Sequence, residues 1–275
     1  MPSKAPTFVA GILTITTDFG DRDAYVPVMK GVIAQIAPDV RVVDVTHEVA
    51  PHDVMEAAYV LRGVVPHYPS GTVHLVVVDP GVGSKRRGVA VRKGDQRLVG
   101  PDNGIFSLLL NDQEPDELVE LDRAQYWRTN SPSKTFHGRD IFAPVAAHLA
   151  SGRTIRDVGS PIDALERLHW ALPIHDDQGI QGWVVHIDHF GNCITNIPRQ
   201  AFEASRRGRD MKCFVGNGIL RDVATTYGDV AVGEPLVLFD SSDNLEIAVS
   251  SGNASQLFDI QRGAAVNVIF LDQHA

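Results

Sequence analysis

Cysteine is nearly absent: Cys193 and Cys213 are the only two in 275 residues. That count removes a disulfide framework and a thiolate zinc cluster from consideration. Basic residues are outnumbered, 25 Lys and Arg against 34 Asp and Glu, for a formal charge of −9. A nucleic-acid partner needs cations clustered along a phosphate backbone. The one tight cluster, Lys85-Arg86-Arg87, is too short to line a groove, so no nucleic acid is expected. Long apolar runs are missing too. Residues 8–15 pass directly into Thr16-Thr17-Asp18 and read as a strand rather than a leader. No segment approaches the roughly 20 apolar residues of a membrane span. A cytoplasmic protein without a membrane partner is the expectation. What is present, 44% hydrophobic and 21% charged residues, is the composition of a chain with a sizeable core. Its length leaves room for two units of ~100–150 residues.

Up to about residue 168, strand and helix patterns alternate. Residues 11–17 form an apolar strand, and residues 23–36 carry Val28, Met29, Val32, Ile33 and Ile36 at helical spacing, with Pro38 just beyond. Residues 40–45 are β-branched. Asp53 and Glu56 form a capping pair for a helix through Val65. Residues 73–78 read as a strand buried on both faces, and residues 141–150 as a short helix stopped by Gly152. Such alternation predicts an α/β domain over residues 1–168, a mostly parallel sheet flanked by helices with binding residues at the strands' C-terminal ends. Residues 169–179, with Pro173 and Asp176-Asp177, read as a linker. From 180 to 275 helical periodicity fades, and short alternating runs (183–187, 235–239, 245–249, 265–270) are separated by glycine turns. An all-β, antiparallel, barrel-like domain is expected there.

Polar residues gather where strands end. Asp18, in Thr17-Asp18-Phe19-Gly20, stands where acidic residues of dinucleotide folds accept ribose hydroxyls; an Asx turn is the plainer reading. Kinases share the Asp-Phe-Gly string, but no glycine-rich loop, strand lysine or catalytic-loop motif accompanies it. The buried strand 73–78 runs into Asp79-Pro80-Gly81-Val82-Gly83-Ser84-Lys85-Arg86. A carboxylate after an apolar strand, followed by a glycine-rich turn and a cation, suits an acid held ionised by a guanidinium; a turn-fixing salt bridge fits equally well. A phosphate loop does not fit, because the Gly-Lys-Ser/Thr spacing is missing. His137 in Thr135-Phe136-His137-Gly138-Arg139-Asp140 has a side chain that titrates near neutrality, in a catalytic or a structural role. His47 and His52 flank a proline turn at a spacing that matches no metal-ligand pattern, so no metal is expected. Pro101-Asp102-Asn103-Gly104 reads as a turn. Beyond the linker, Asp188-His189-Phe190-Gly191-Asn192 offers a ring and an amide for a purine, and Ser241-Ser242 follows a strand; taken alone, each reads first as an ordinary hairpin turn.

In order along the chain stand TTDFG, APHDVMEAA, VVDPGVGSKRR, GPDNG, TFHGRDIFAP, HFGN-x-x-TNI and SS-x-x-LEIAV. Together they resemble the S-adenosyl-L-methionine (SAM) hydrolases that form adenosine, also called SAM hydroxide adenosyltransferases, relatives of fluorinase and chlorinase. The resemblance implies attack of an activated water at C5′ of SAM, giving adenosine and L-methionine. SAM is then the substrate, and no cofactor is needed. It implies catalytic roles for Asp79, Arg86 and His137 and ribose binding by Asp18. Purine and methionine contacts fall at Phe190, Asn192, Asp188 and Ser241, and His52 stands where fluorinase places a substrate-facing Trp. A homotrimer is implied as well, with each site between the N-terminal domain of one subunit and the C-terminal domain of the next. The match is inexact at Asp188, and at Asp243-Asn244 the chain departs from the usual Gly-aromatic pair. A halide nucleophile is the nearest alternative, though Asp79 would repel an anion; a non-catalytic SAM or adenosine sensor is the other.

Overall fold

The computed structural model describes residues 11–110, 113–168 and 172–271. The chain divides into two compact units, Met1–Leu168 and His169–Ala275. In the first, β1 (Ile12–Thr17) leads to α1 (Tyr25–Ile36), β2 (Arg41–Thr46), α2 (Val54–Val64) and β3 (Val73–Val77). There follow β4 (Gly88–Lys93), β5 (Gln96–Pro101), α3 (Ser107–Leu110), β6 (Glu117–Glu120), α4 (Ala143–Ala150) and β7 (Ser160–Pro161). The sheet order is β2-β1-β3-β5-β4-β6-β7. Pairings among β2, β1, β3 and β5 are parallel, whereas β4, β6 and β7 join antiparallel. The sheet is therefore mixed rather than mostly parallel. The cause is local: β5 returns on β4 through a two-residue turn in which Gly94 takes φ +57°, and the turn dictates antiparallel pairing.

The central strands are buried on both faces because helices cover them, which is why β3 reads as an apolar run. His74 interrupts that run and is fully buried. Its Nδ1 pairs with Thr14 Oγ1 on β1 at 2.8 Å, and burial pushes its pKa down to about 4, so it is a neutral core group. Asp53 caps α2 by accepting from the Glu56 N–H at 2.8 Å, and the Glu56 carboxylate reaches back to the Ala50 N–H at 2.8 Å. On α1, Met29, Val32 and Ile33 are buried as their spacing predicts, but Val28 is exposed.

The second unit holds β8 (Ile174–His175), β9 (Gly179–Ile187), β10 (Cys193–Pro198), α5 (Arg199–Arg206), β11 (Asp210–Val215) and β12 (Gly218–Leu220). Then come β13 (Pro235–Phe239), β14 (Asn244–Val249), α6 (Ala254–Leu257) and β15 (Ala265–Leu271). All the strand pairings are antiparallel, in the order β12-β11-β15-β9-β10-β14-β13, with β8 beside β9. A bridge from Val223 to Val237 draws the ends of this sheet together into a nearly closed barrel. Part of the stretch read as a linker is thus sheet, since Ile174–His175 pairs with β9; its residues 169–171 lie outside the described residues. Phe202, from α5, packs on Phe239 and Phe270 in the core with ring centroids 5.2 and 5.6 Å away. Cys193 and Cys213 are buried and unpaired, and burial pushes both thiols up to about 12. Neither is a nucleophile at neutral pH. No helix among the described residues is long and apolar enough to cross a membrane.

Candidate active site

The pairing of β1 with β3 sets Thr17 opposite Val77, so the residues that follow these strands, Asp18 and Asp79, emerge side by side at the C-terminal edge of the sheet. They border a cavity of about 310 Å³ whose walls include Phe19, Tyr25, His52, Phe136 and His137. Asp18 Oδ2 accepts the His52 N–H at 2.9 Å. This bond ties the end of β1 to the loop before α2 and holds His52 at φ +68°, a left-handed conformation seldom adopted by non-glycine residues. The local turn expected of Asp18 is made by its neighbour, since Thr17 Oγ1 accepts the Phe19 N–H at 3.3 Å. His47 pairs through Nδ1 with Thr17 Oγ1 at 2.9 Å. Among the described residues, no group of three or more His, Cys, Asp or Glu is placed to hold a metal ion.

Asp79 and Arg86 are side chains only 5% and 10% exposed. Arg86 Nε donates to Asp79 Oδ1 at 2.7 Å, and Nη2 donates to Oδ2, so the guanidinium grips both carboxylate oxygens. Nη2 also lies 2.9 Å from His137 Nδ1. A guanidinium can only donate, so Nδ1 is the acceptor, and the neutral ring carries its proton on Nε2. Burial lowers the His137 pKa first, the Arg86 cation lowers it further, and Asp79 and Asp140 pull the other way. The ring is therefore neutral at physiological pH. Behind it, the Arg86 guanidinium stacks over Phe142 at 5.1 Å from the ring centroid.

The loop carrying His137 is anchored by Asp140, a fully buried acid in a π-helical turn, Gly138–Phe142, that leads into α4. Arg128 and Arg139 donate to its carboxylate at 2.6 and 2.7 Å, and so does the Ser133 N–H at 2.8 Å. Despite the burial, these donors hold Asp140 well below the usual carboxylate range. The Asp79–Arg86 loop packs on this one at Gly83, which has φ +76°; a Cβ there would lie 2.3 Å from the Lys134 carbonyl oxygen. Only glycine permits that approach.

In the second unit, Asp188 organises the β9–β10 hairpin. Its Oδ1 accepts the Phe190 and Asn192 N–H groups, each at 2.9 Å, and its Oδ2 accepts Asn192 Nδ2 at 3.0 Å. The result fixes a buried Asn192 amide beside a Phe190 ring that is 72% exposed. Ser241 lies in the β13–β14 turn, where Asp240 accepts the Ser242 and Asn244 N–H groups at 2.9 and 2.8 Å. Asp243 takes φ +58° in that turn and pairs with Arg199 at 2.8 Å.

Thus Asp18, His52, Asp79 and His137 meet in one cavity with Arg86 beneath them, while Asp188, Phe190, Asn192 and Ser241 sit on loops of the second unit. Sequence reasoning passed over the Asp140 clamp, the aromatic wall of the cavity and buried Glu246. Asp140 had a signal, an acid in the same short motif as His137. Glu246 had none, because a glutamate in an alternating strand reads as solvent-facing.

The chain is similar over most of its length to known proteins. A SAM hydroxide adenosyltransferase N-terminal domain model matches residues 13–159, and a C-terminal domain model of the same family matches residues 182–267. The chain is 40% identical over 265 residues to an (R)-S-adenosyl-L-methionine hydrolase of Salinispora tropica, covering 93% of this chain and 97% of that one. A fluorinase of Actinopolyspora mzabensis is more distant, at 28% over 292 residues, covering 94% and 96%. An uncharacterized conserved protein from Thermotoga maritima has a solved structure similar to this one, with TM-score 0.85 and 38% identity, covering 94% of this chain and 99% of that chain. Both family models and the relatives span most of the sequence, and the chain belongs to the SAM hydroxide adenosyltransferase family of enzymes.

Proposed function

We propose that this enzyme hydrolyses SAM, in the (R) sulfonium form for which its relatives are named, to adenosine and L-methionine. The observation that carries the reading is Arg86 gripping both Asp79 oxygens and His137 Nδ1 in the cavity that Asp18 borders. Sulfonium sulfur is already a good leaving group, so the reaction needs no acid and no Lewis acid. It needs a water held in line with the C5′–S bond, which is a matter of positioning and electrostatics.

Roles follow from the hydrogen bonds. Asp18 accepts from the ribose through the oxygen that His52 leaves available. Arg86 fixes the Asp79 carboxylate, whose remaining lone pairs face a water. His137, with Nδ1 occupied by Arg86, offers its Nε2–H to the water oxygen and so orients it. As O–C5′ forms and C5′–S breaks, the electron pair returns to sulfur as a neutral thioether, and Asp79 takes the proton. Opposite charges vanish in this step, so a dry pocket favours it. A halide nucleophile would instead meet the Asp79 carboxylate.

The purine and methionine contacts belong to Phe190, Asn192 and Ser241, with Asp188 aiming Asn192. The chains assemble as homotrimers, in which these loops come from the neighbouring subunit. The test is incubation of purified protein with each SAM epimer, followed by chromatography. Equimolar adenosine and methionine from the (R) form support the reading, and intact SAM from both would overturn it.

A further inference from the structure

Three rings stand together on the cavity wall: Phe19, Tyr25 and Phe136. Their centroids are 5.3 Å (Phe19–Tyr25), 5.9 Å (Phe19–Phe136) and 5.1 Å (Tyr25–Phe136) apart. The two contacts of Phe136 are edge-to-face at 78° and 88°, the arrangement in which ring edges and faces attract. Arg139 stacks on Phe136 at 5.2 Å, with its charge balanced by Asp140. The rings pack on one another, yet Tyr25 remains 47% exposed. A tyrosine ring left open beside two phenylalanines contributes less to the core than a buried apolar residue would.

Chain connectivity places the wall at the reacting centre. Phe19 follows Asp18 directly, and Phe136 directly precedes His137, so each ring is rooted one residue, ~3.8 Å along the backbone, from a group assigned to ribose or water. The carbon under attack must lie between those groups, and the sulfonium is bonded to it.

We propose that Phe19, Tyr25 and Phe136 seat the sulfonium methyl and thereby decide which sulfur epimer reacts; the proposal rests on the hydrolase reading above. The charge of a sulfonium is spread over its methyl and methylene hydrogens, and ring faces attract such a cation. With ribose held at Asp18 and attack fixed in line, inversion at sulfur exchanges methyl and lone pair. One epimer presents its polarised methyl to the rings. The other presents a lone pair to the same electron-rich surface and drives its methyl into the space opposite.

The experiment is kcat/KM for the (R) and (S) epimers with wild type, Tyr25→Ser and Phe19→Leu, together with inhibition by neutral S-adenosyl-L-homocysteine. Tyr25 is exposed enough for its variant to fold, which circular dichroism checks. The (R)/(S) ratio should fall about 5- to 30-fold, the equivalent of ~1–2 kcal/mol of cation–π contact, with homocysteine-analogue inhibition changing less than threefold. An unchanged ratio, with both epimers and the analogue losing equally, would overturn the proposal and make the wall a base-stacking or structural surface. Failure of wild type to form adenosine from both the (R) and the (S) epimer would instead refute the hydrolase reading itself.

Discussion

Arg86→Lys separates charge from geometry at the site. Arg86 makes three hydrogen bonds at once: two to Asp79 through Nε and Nη2, and one to His137 Nδ1. A lysine ammonium keeps the positive charge but cannot span both carboxylate oxygens and the imidazole. Two of the three bonds should go. Hydrogen bonds to charged groups contribute about 1.5–3 kcal/mol each, so the gross loss is about 3–6 kcal/mol. Part of it returns through the retained Coulomb attraction, which leaves a fall in kcat of about 10²–10³. KM should move only a few fold, because ribose and purine contacts lie elsewhere. Arg86→Gln removes the charge as well. It leaves a buried carboxylate unpaired, at a cost of about 3–5 kcal/mol of stability, and it frees His137 from a cation that lowers its pKa. The acid limb of the kcat–pH profile should therefore lie below pH 6.5 in wild type and in Arg86→Lys, and higher in Arg86→Gln. Steady-state kinetics across pH with thermal unfolding of the same samples gives every quantity. If folded Arg86→Lys stays within threefold of wild-type kcat, the reasoning about the Asp79–Arg86–His137 bonds is wrong.

Three further outcomes follow. Asp79→Asn keeps the shape but loses the base, so kcat should drop about 10²–10⁴-fold with SAM binding nearly unchanged; calorimetry of binding beside kinetics would expose a loss of affinity instead. Glu246 is 3% exposed, accepts from Tyr227 at 2.8 Å, and is pushed up to about 7 by burial, with Asp240 and Asp188 adding to the shift. Between pH ~4.5 and 7 the folded protein holds on Glu246 a proton that the unfolded chain has released, so the contribution of this group to stability should fall as pH rises through that window, by on the order of 3 kcal/mol, against the opposite contribution of His74, which the fold keeps neutral down to about pH 4. The stability of wild type relative to Glu246→Gln should therefore decline by that amount across the window, and a difference that stays constant in melting curves at pH 5, 6, 7 and 8 would contradict that. Finally, mixing Asp79→Asn with Asn192→Ala subunits after dissociation should restore part of the activity if neighbouring chains share each site, whereas no recovery despite subunit exchange would argue for sites built within one chain.

Periodicity revealed the helices and buried strands of the first unit because burial on both faces leaves long apolar runs. It missed the β4–β5 hairpin, whose apolar runs, residues 89–91 and 98–99, are short and adjoin charged residues, and hence the mixed character of the sheet. It also missed α5, eight residues long with Phe202 and Ser205 as its buried positions, too short for a period to register. At the site, Asp18 and Asp79 stood out because they follow apolar strands, and His137 because an imidazole titrates near neutrality. The Arg86–His137 bond could not be read that way, since 51 positions separate the two residues and only the fold brings them together. Asp188 shows the opposite limit: its pattern marked a binding loop, and the structure shows its oxygens spent on shaping that loop.

In the proposed reaction, water held by Asp79 and His137 attacks C5′ of SAM. The most direct measurement is turnover of (R)-SAM in ¹⁸O-labelled water, with mass spectrometry of both products. One ¹⁸O should enter the 5′-hydroxyl of adenosine and none should enter methionine. Unlabelled adenosine, or methylthioadenosine in its place, would contradict that reaction.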